Sequence, residues 1–177
     1  MSFTPRRMRP EPDRPSGLAP NGLAYESVWD YPRPPKVVPE PRPVLVQAGD
    51  RRLASSTRAI RVCETAGGPV VYLPLQDVTV EMLVPSGGSG SWCEWKGAAS
   101  YFDVVTDDRR SARAAWIYRD PSPGFEQLTD HLSFYPALVD CFLDGEPVRP
   151  QAGGFYGGWI TSEITGPIKG EPGSLGW

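Results

Sequence analysis

Proline sets the first limit on this chain. Of its 21 prolines, 11 precede Val44. Each one fixes φ and removes a backbone donor. Residues 1–43 therefore read as a Pro-rich arm, disordered to about residue 24. Within the arm, Tyr25, Trp29 and Tyr31 lie among Pro32, Pro34 and Pro35. That mixture suits a strap over an apolar patch, stiffened toward polyproline II; a lid or a partner ligand is the sharper alternative.

The fold is left to residues 44–150, a length that buries enough surface to fold unaided. The pattern there has a period of two. Val44–Gln47, the turn Ala48-Gly49-Asp50 and Arg51–Ser55 predict a β-hairpin. Ala59–Thr65 predicts a strand with Ile60, Val62 and Glu64 on one face. Further strands are expected at Val70–Leu73, Asp77–Val84, Ala98–Thr106 and Ala112–Tyr118, and a closing hairpin at Val139–Val148 turns on Asp144-Gly145. Ser122-Pro123 starts one short helix near 123–132, with Phe125, Leu128 and Leu132 as its apolar stripe. The expected class is all-β, a mainly antiparallel small barrel or sandwich with that one helix. Residues 151–177 change composition again, with glycines set among Phe155, Tyr156, Trp159 and Trp177. They predict an arm docked on its own core or on a partner subunit, the latter in a homodimer, with Trp159–Ile164 as an added strand.

Charge and cysteines narrow the function classes. The net charge of −3 gives no basic face for a nucleic-acid polymer, the densest basic run being Arg6-Arg7 with Arg9. Cys63, Cys93 and Cys141 are widely spaced and odd in number, which is not a disulfide framework. No apolar run follows the N-terminal arginines, and none is long enough to span a bilayer, so a cytoplasmic protein without membrane contact is expected. No paired Cys or His ligands predict a metal, and no motif names a cofactor.

The chemistry gathers in Ser91-Trp92-Cys93-Glu94-Trp95-Lys96-Gly97, behind the turn Gly87-Gly88-Ser89-Gly90. That turn offers backbone donors for an anion nest, although flexible glycine turns are commoner. Cys93, three residues from Lys96, is a candidate nucleophile; its ordinary fate is an inert core thiol. Lys96 between aromatic segments is a candidate base or anion holder, set against the commoner surface lysine. Glu64 is a candidate acid/base, or else a structural partner of Lys96 or Arg61. His131 is the single histidine, and it pairs with Cys93 only if the fold brings them together. Arg58, Tyr72, Trp92, Trp95, Tyr101 and Trp116 complete the expected ligand-binding set. The leading expectation is a small polar metabolite bound in an aromatic-lined pocket. The alternatives are an enzyme of phosphorylated metabolites and a non-catalytic structural or interaction module.

The residues Ser56–Thr65, Tyr72-Leu73-Pro74, Cys93–Tyr101, Ala115–Tyr118 and Phe134-Tyr135 carry a family pattern. Flanks at Glu26–Pro32 and Phe155–Trp159 extend it. The chain resembles the domain-of-unknown-function family 427, catalogued under a nucleotidyltransferase-type name. The resemblance implies a small β-rich fold and no particular substrate. Nucleotidyl transfer ordinarily requires a metal-binding Asp-x-Asp pair. None follows Gly90-Ser91, and Asp107-Asp108 falls in a polar turn beside Arg109-Arg110.

Overall fold

The computed structural model describes residues 9–177; the basic pair Arg6-Arg7 lies outside the described residues. The chain is β-rich, and its sheets are open rather than closed into a barrel. The larger sheet runs in the order Lys36–Glu40, Ala59–Cys63, Val70–Pro74, His131–Phe134, Arg110–Ile117, Gly97–Val105 and Leu83–Pro85, with Ser91–Cys93 also paired to Gly97–Val105. The smaller sheet orders Glu146–Pro147, Asp140–Leu143, Val44–Ala48 and Arg51–Ser56. All pairs in both sheets are antiparallel.

The period-two pattern explains why the larger sheet is covered on both faces. Val71, Leu73, Val104, Ala115, Leu132 and Phe134 meet Val44, Val46, Leu53, Cys141 and Leu143 of the smaller sheet in one buried core. Their neighbours Val62, Tyr72, Ala99, Trp116 and Tyr118 turn to the opposite face and form a second, aromatic cluster. The hairpins follow their turn chemistry. Gly49 has φ of +60°, and Asp144 and Gly145 have φ of +47° and +78°, as a two-residue hairpin turn requires.

Two local expectations give way to tertiary packing. The helix near 123–132 shrinks to a single 3-10 turn, Glu126–Leu128, and His131 begins a strand. Phe125 and Leu128 bury in the aromatic cluster, whereas Leu132 buries in the core on the other side of the sheet. No one helix face serves both destinations, and Asp130 at φ +57° separates them. Residues 77–84, expected as a strand, instead make 3-10 turns at Leu75–Asp77 and Val80–Met82 before the short strand Leu83–Pro85. Asp77 is drawn aside by Ser56 and Arg58.

Segments on either side of the core meet each other. Glu26–Ser27 pairs in parallel with Ile164–Thr165. Trp29 donates from Nε1 to the Pro167 carbonyl at 2.8 Å and meets Trp177 edge-on at 5.6 Å. Arg42 forks onto Glu40 and reaches Glu163 at 2.8 Å, and Asn21 joins Glu163 to Glu146. Burial pushes the Glu163 carboxyl up, but its hydrogen bonds and Arg42 outweigh this and hold it below the ordinary value. From Asp13 onward the proline-rich arm is thus engaged, with the Asp13 amide donating to Gly166 and the Thr165 hydroxyl donating to Asp13. Trp159, within the C-terminal arm, is fully buried in the intersheet core and donates from Nε1 to the Phe134 carbonyl at 3.0 Å.

Trp159 therefore joins the arm to both the core and the strand His131–Phe134. Trp159→Ala is expected to cost about 3–5 kcal/mol in urea unfolding. Trp159→Phe should cost less, about 1–3 kcal/mol, chiefly by leaving the Phe134 carbonyl without its donor.

Candidate functional site

The aromatic face of the larger sheet encloses a cavity of about 230 Å³. Its floor comes from alternate residues of neighbouring strands: Val62, Val70, Tyr72, Tyr101, Trp116 and, just past its strand, Tyr118. The rings interlock. Trp116 donates from Nε1 to the Tyr72 hydroxyl at 3.3 Å, and the two rings sit edge to face at 6.1 Å. Tyr135 lies 4.4 Å from Trp116, and Tyr118 lies 6.4 Å from Tyr72. Burial pushes the Tyr72, Tyr118 and Tyr135 phenols far above their ordinary titration range. At neutral pH they stay protonated and can donate hydrogen bonds.

One wall is the central stretch. Ser91–Cys93 folds back onto Gly97–Ala99 through a turn that closes at Gly97, where φ is +101°. The φ at Gly97 favours glycine, and a Cβ there would also come within 3.0 Å of Ser122 Oγ, which would have to give way. The turn brings Cys93 and Lys96 to the cavity, with Lys96 Nζ 5.7 Å from the centre of the Tyr118 ring. Ser91 and Tyr101 join their hydroxyls at 2.7 Å. Trp92 is 72% exposed and stands at the mouth.

The C-terminal segment makes the opposite wall. Gln151 is buried; its Oε1 accepts from the Gly68 amide at 3.0 Å, and its Nε2 donates to the Lys169 carbonyl at 2.7 Å. Gly157 rests on Trp116 so closely that a Cβ would fall 2.3 Å from the indole edge. Lys169 Nζ lies 5.7 Å from the centre of the Tyr156 ring, and both residues line the cavity. Phe155, also 72% exposed, stands at the mouth with Trp92.

Glu64, Tyr72, Trp92, Cys93, Lys96, Tyr101 and Trp116, nominated from the sequence, are thus brought together. Two nominees are not. Arg58 is ion-paired to Asp77 at 2.6 Å and lines a separate hollow with His131. Trp95 packs against the aromatic cluster outside the cavity lining, and its buried Nε1 has no hydrogen-bond partner. Because His131 lies with Arg58, the fold does not bring it to Cys93. Arg61 pairs with Glu26 at 3.0 Å, so it is not the partner of Glu64. Among the described residues, Glu64, Lys96 and Lys169 enter no ion pair.

Sequence reasoning missed Tyr118, Tyr135, Gln151, Tyr156 and Lys169. Tyr135 was signalled by alternation, since it follows the core residue Phe134. Nothing local marks Gln151 or Lys169, because Gln151 is fixed by the Gly68 amide and Lys169 by the Ala66 carbonyl, both far back in the chain. Cys63 and Cys141 are buried elsewhere, and burial pushes the Cys63 thiol up to about 11. Among the described residues, no group of three or more His, Cys, Asp or Glu side chains could hold a metal ion.

Beside the cavity, Asp103 organises a bulge. Ser111 faces Val104 and Ala115 faces Phe102, so one strand carries two extra residues over this step. Arg113 there has φ of +52°, a costly value for a residue with a Cβ. Asp103 holds it by accepting from the Arg113 amide at 2.9 Å, while also accepting from Ser86 Oγ and pairing with Arg110. The Ser86 hydroxyl first, then the Arg113 amide and Arg110, hold the Asp103 carboxyl down at about 2.

A family model described as "Domain of unknown function (DUF427)" matches residues 36–145. No curated protein matches the chain. Among the described residues, no helix is long and apolar enough to cross a membrane.

Two outcomes follow from this geometry. Gly157→Ala should displace the Trp116 ring, seen as a change in near-ultraviolet circular dichroism, while Gly87→Ala leaves that signal unchanged because nothing lies near its Cβ position and its φ is not positive. For Asp103, the folded value lies below the ordinary 3.8. Its contribution is therefore complete above about pH 4 and is lost as the pH falls toward 2. Nuclear Overhauser contacts between Arg113 and Tyr101 should weaken across that window, and Asp103→Asn should weaken them at neutral pH.

Proposed function

The chain belongs to the DUF427 family of domains of unknown function, and we propose that it is a small-molecule-binding domain whose ligand is a small polar organic metabolite held in the aromatic cavity. The observation that carries this reading is the composition of the cavity. Apolar ring faces line it, and a few polar groups converge on it: Glu64, Cys93, Lys96, Lys169 and the tyrosine hydroxyls. Ligand sites have this makeup, in which apolar walls supply affinity and sparse polar groups fix orientation. The lysines and Glu64 are not consumed by internal ion pairs among the described residues. A volume of about 230 Å³ lies just under the usual range for drug-sized ligands. It favours a molecule of about one ring.

The polar inventory leans toward donors. Two ammonium groups stand against the Glu64 carboxylate, because Gln151 Oε1 is already engaged by Gly68; the Tyr135 hydroxyl donates to the Phe155 carbonyl and the Tyr101 hydroxyl is joined to Ser91. A ligand rich in acceptors satisfies such a site best.

The test is ligand-observed NMR against a library of one-ring polar compounds, with and without substitutions. Hits should weaken about tenfold in Lys96→Ala, the size of one lost charged hydrogen bond, and also weaken in Glu64→Ala if the ligand carries a donor. Arg58→Ala should change nothing, since Arg58 lies in another hollow. A library without hits, or hits equally strong in Lys96→Ala and Glu64→Ala, would defeat the reading.

A further inference from the structure

A second hollow, of about 320 Å³, adjoins the aromatic cavity, and Tyr101 lines both. Its other lining includes Gly88, Ser89, Gly90, Arg113 and Arg119. The two arginines are held by rings rather than by carboxylates. The Arg113 guanidinium lies 3.9 Å from the centre of the Tyr101 ring, and that of Arg119 lies 5.5 Å from the centre of Phe102. Among the described residues neither enters an ion pair, whereas Arg51, Arg58, Arg61 and Arg110 each close on an acid. Asp103, the acid nearest the Arg113 backbone, is saturated by Ser86, Arg110 and the Arg113 amide.

Stacking uses the flat face of a guanidinium and leaves its in-plane donors directed outward. Of those donors on Arg113, Nη1 meets the Ser89 carbonyl at 3.1 Å. The position is also a costly one for structure alone. An arginine is kept at φ +52° in a bulge by a buried carboxylate. Bulges re-aim side chains beside functional sites, and this one lays Arg113 over the ring that separates the two hollows.

We infer that Arg113 and Arg119 form a phosphate subsite, and that the ligand is a phosphate monoester whose organic body occupies the aromatic cavity. The placement of the body rests on the reading given above; the phosphate subsite stands on the arginines alone. A phosphate monoester suits this arrangement because it carries about two charges and three strong acceptor oxygens. Two guanidinium forks match such a group, and a polar rim of Ser89, Gly90 and Ser100 surrounds it. The ester oxygen then lies near Tyr101, at the boundary between the hollows.

The experiment is calorimetric titration of phenol, phenyl phosphate and inorganic phosphate into the full chain. Phenyl phosphate should bind wild type about ten- to a hundredfold more tightly than phenol, as charged hydrogen bonds would give. In Arg113→Gln/Arg119→Gln that advantage should vanish while phenol binding is unchanged. Arg119→Gln alone, at an exposed position, should lose part of it and guards against misfolding at the bulge. An advantage that is absent in wild type, or that survives in the double variant, overturns the subsite. Inorganic phosphate that binds through Arg113 and Arg119 while phenol and phenyl phosphate do not bind would uphold the subsite and overturn the cavity as the seat of the organic body. Binding of none of the three would overturn both.

Discussion

Everything in this protein depends on a sheet that is buried on both faces. In Val71-Tyr72-Leu73, the outer two side chains enter the intersheet core and the tyrosine enters the aromatic cluster. Ala115 and Trp116 divide in the same way, as do Phe134 and Tyr135. A one-residue slip of any of these strands would exchange the two sets. Phenol hydroxyls would then be forced into a dry core and left without partners, at a cost of the order of a few kcal/mol each. The register that makes the core is therefore the register that makes the site.

A sheet face alone is not a cavity. Its walls come from segments that carry little regular structure: the turn at Gly97 and the chain from Gln151 to Lys169. Both are fixed by glycines in close quarters and by buried hydrogen bonds such as Gln151 to Gly68. Trp159, whose ring fills the core, anchors the C-terminal wall from behind. The site is thus assembled from sequence positions about a hundred residues apart, and loss of the arm's anchor would open it without touching a lining residue.

Two kinds of charged group stand out among the described residues. Glu40, Arg42 and Glu163, like Arg58 with Asp77, neutralise one another and hold segments together. Lys96, Lys169, Arg113 and Arg119 lie against aromatic rings instead. A ring positions a cation without neutralising it. The second group gathers around two adjoining hollows, where an acceptor-rich ligand would find both the rings and the charge.

Alternation was legible along the chain because a strand's side chains report its faces directly. The hairpins, the two-sided residues and half of the cavity floor could be read from local pattern, as could the gathering of reactive and aromatic side chains in Ser91–Gly97. The helix near 123–132 could not, because Phe125, Leu128 and Leu132 show helical spacing yet are claimed by opposite faces of one sheet. Arg58 was expected in the ligand-binding set, but Asp77, nineteen residues on, takes its charge. Nor does any local signal mark Gln151, Lys169 or the strained Arg113, whose roles depend on partners distant in sequence. The sequence by itself determined which residues must leave water and in what period. Only the tertiary structure decided which polar groups meet, because burial is dictated by each residue's own chemistry while pairing depends on where the rest of the chain comes to lie.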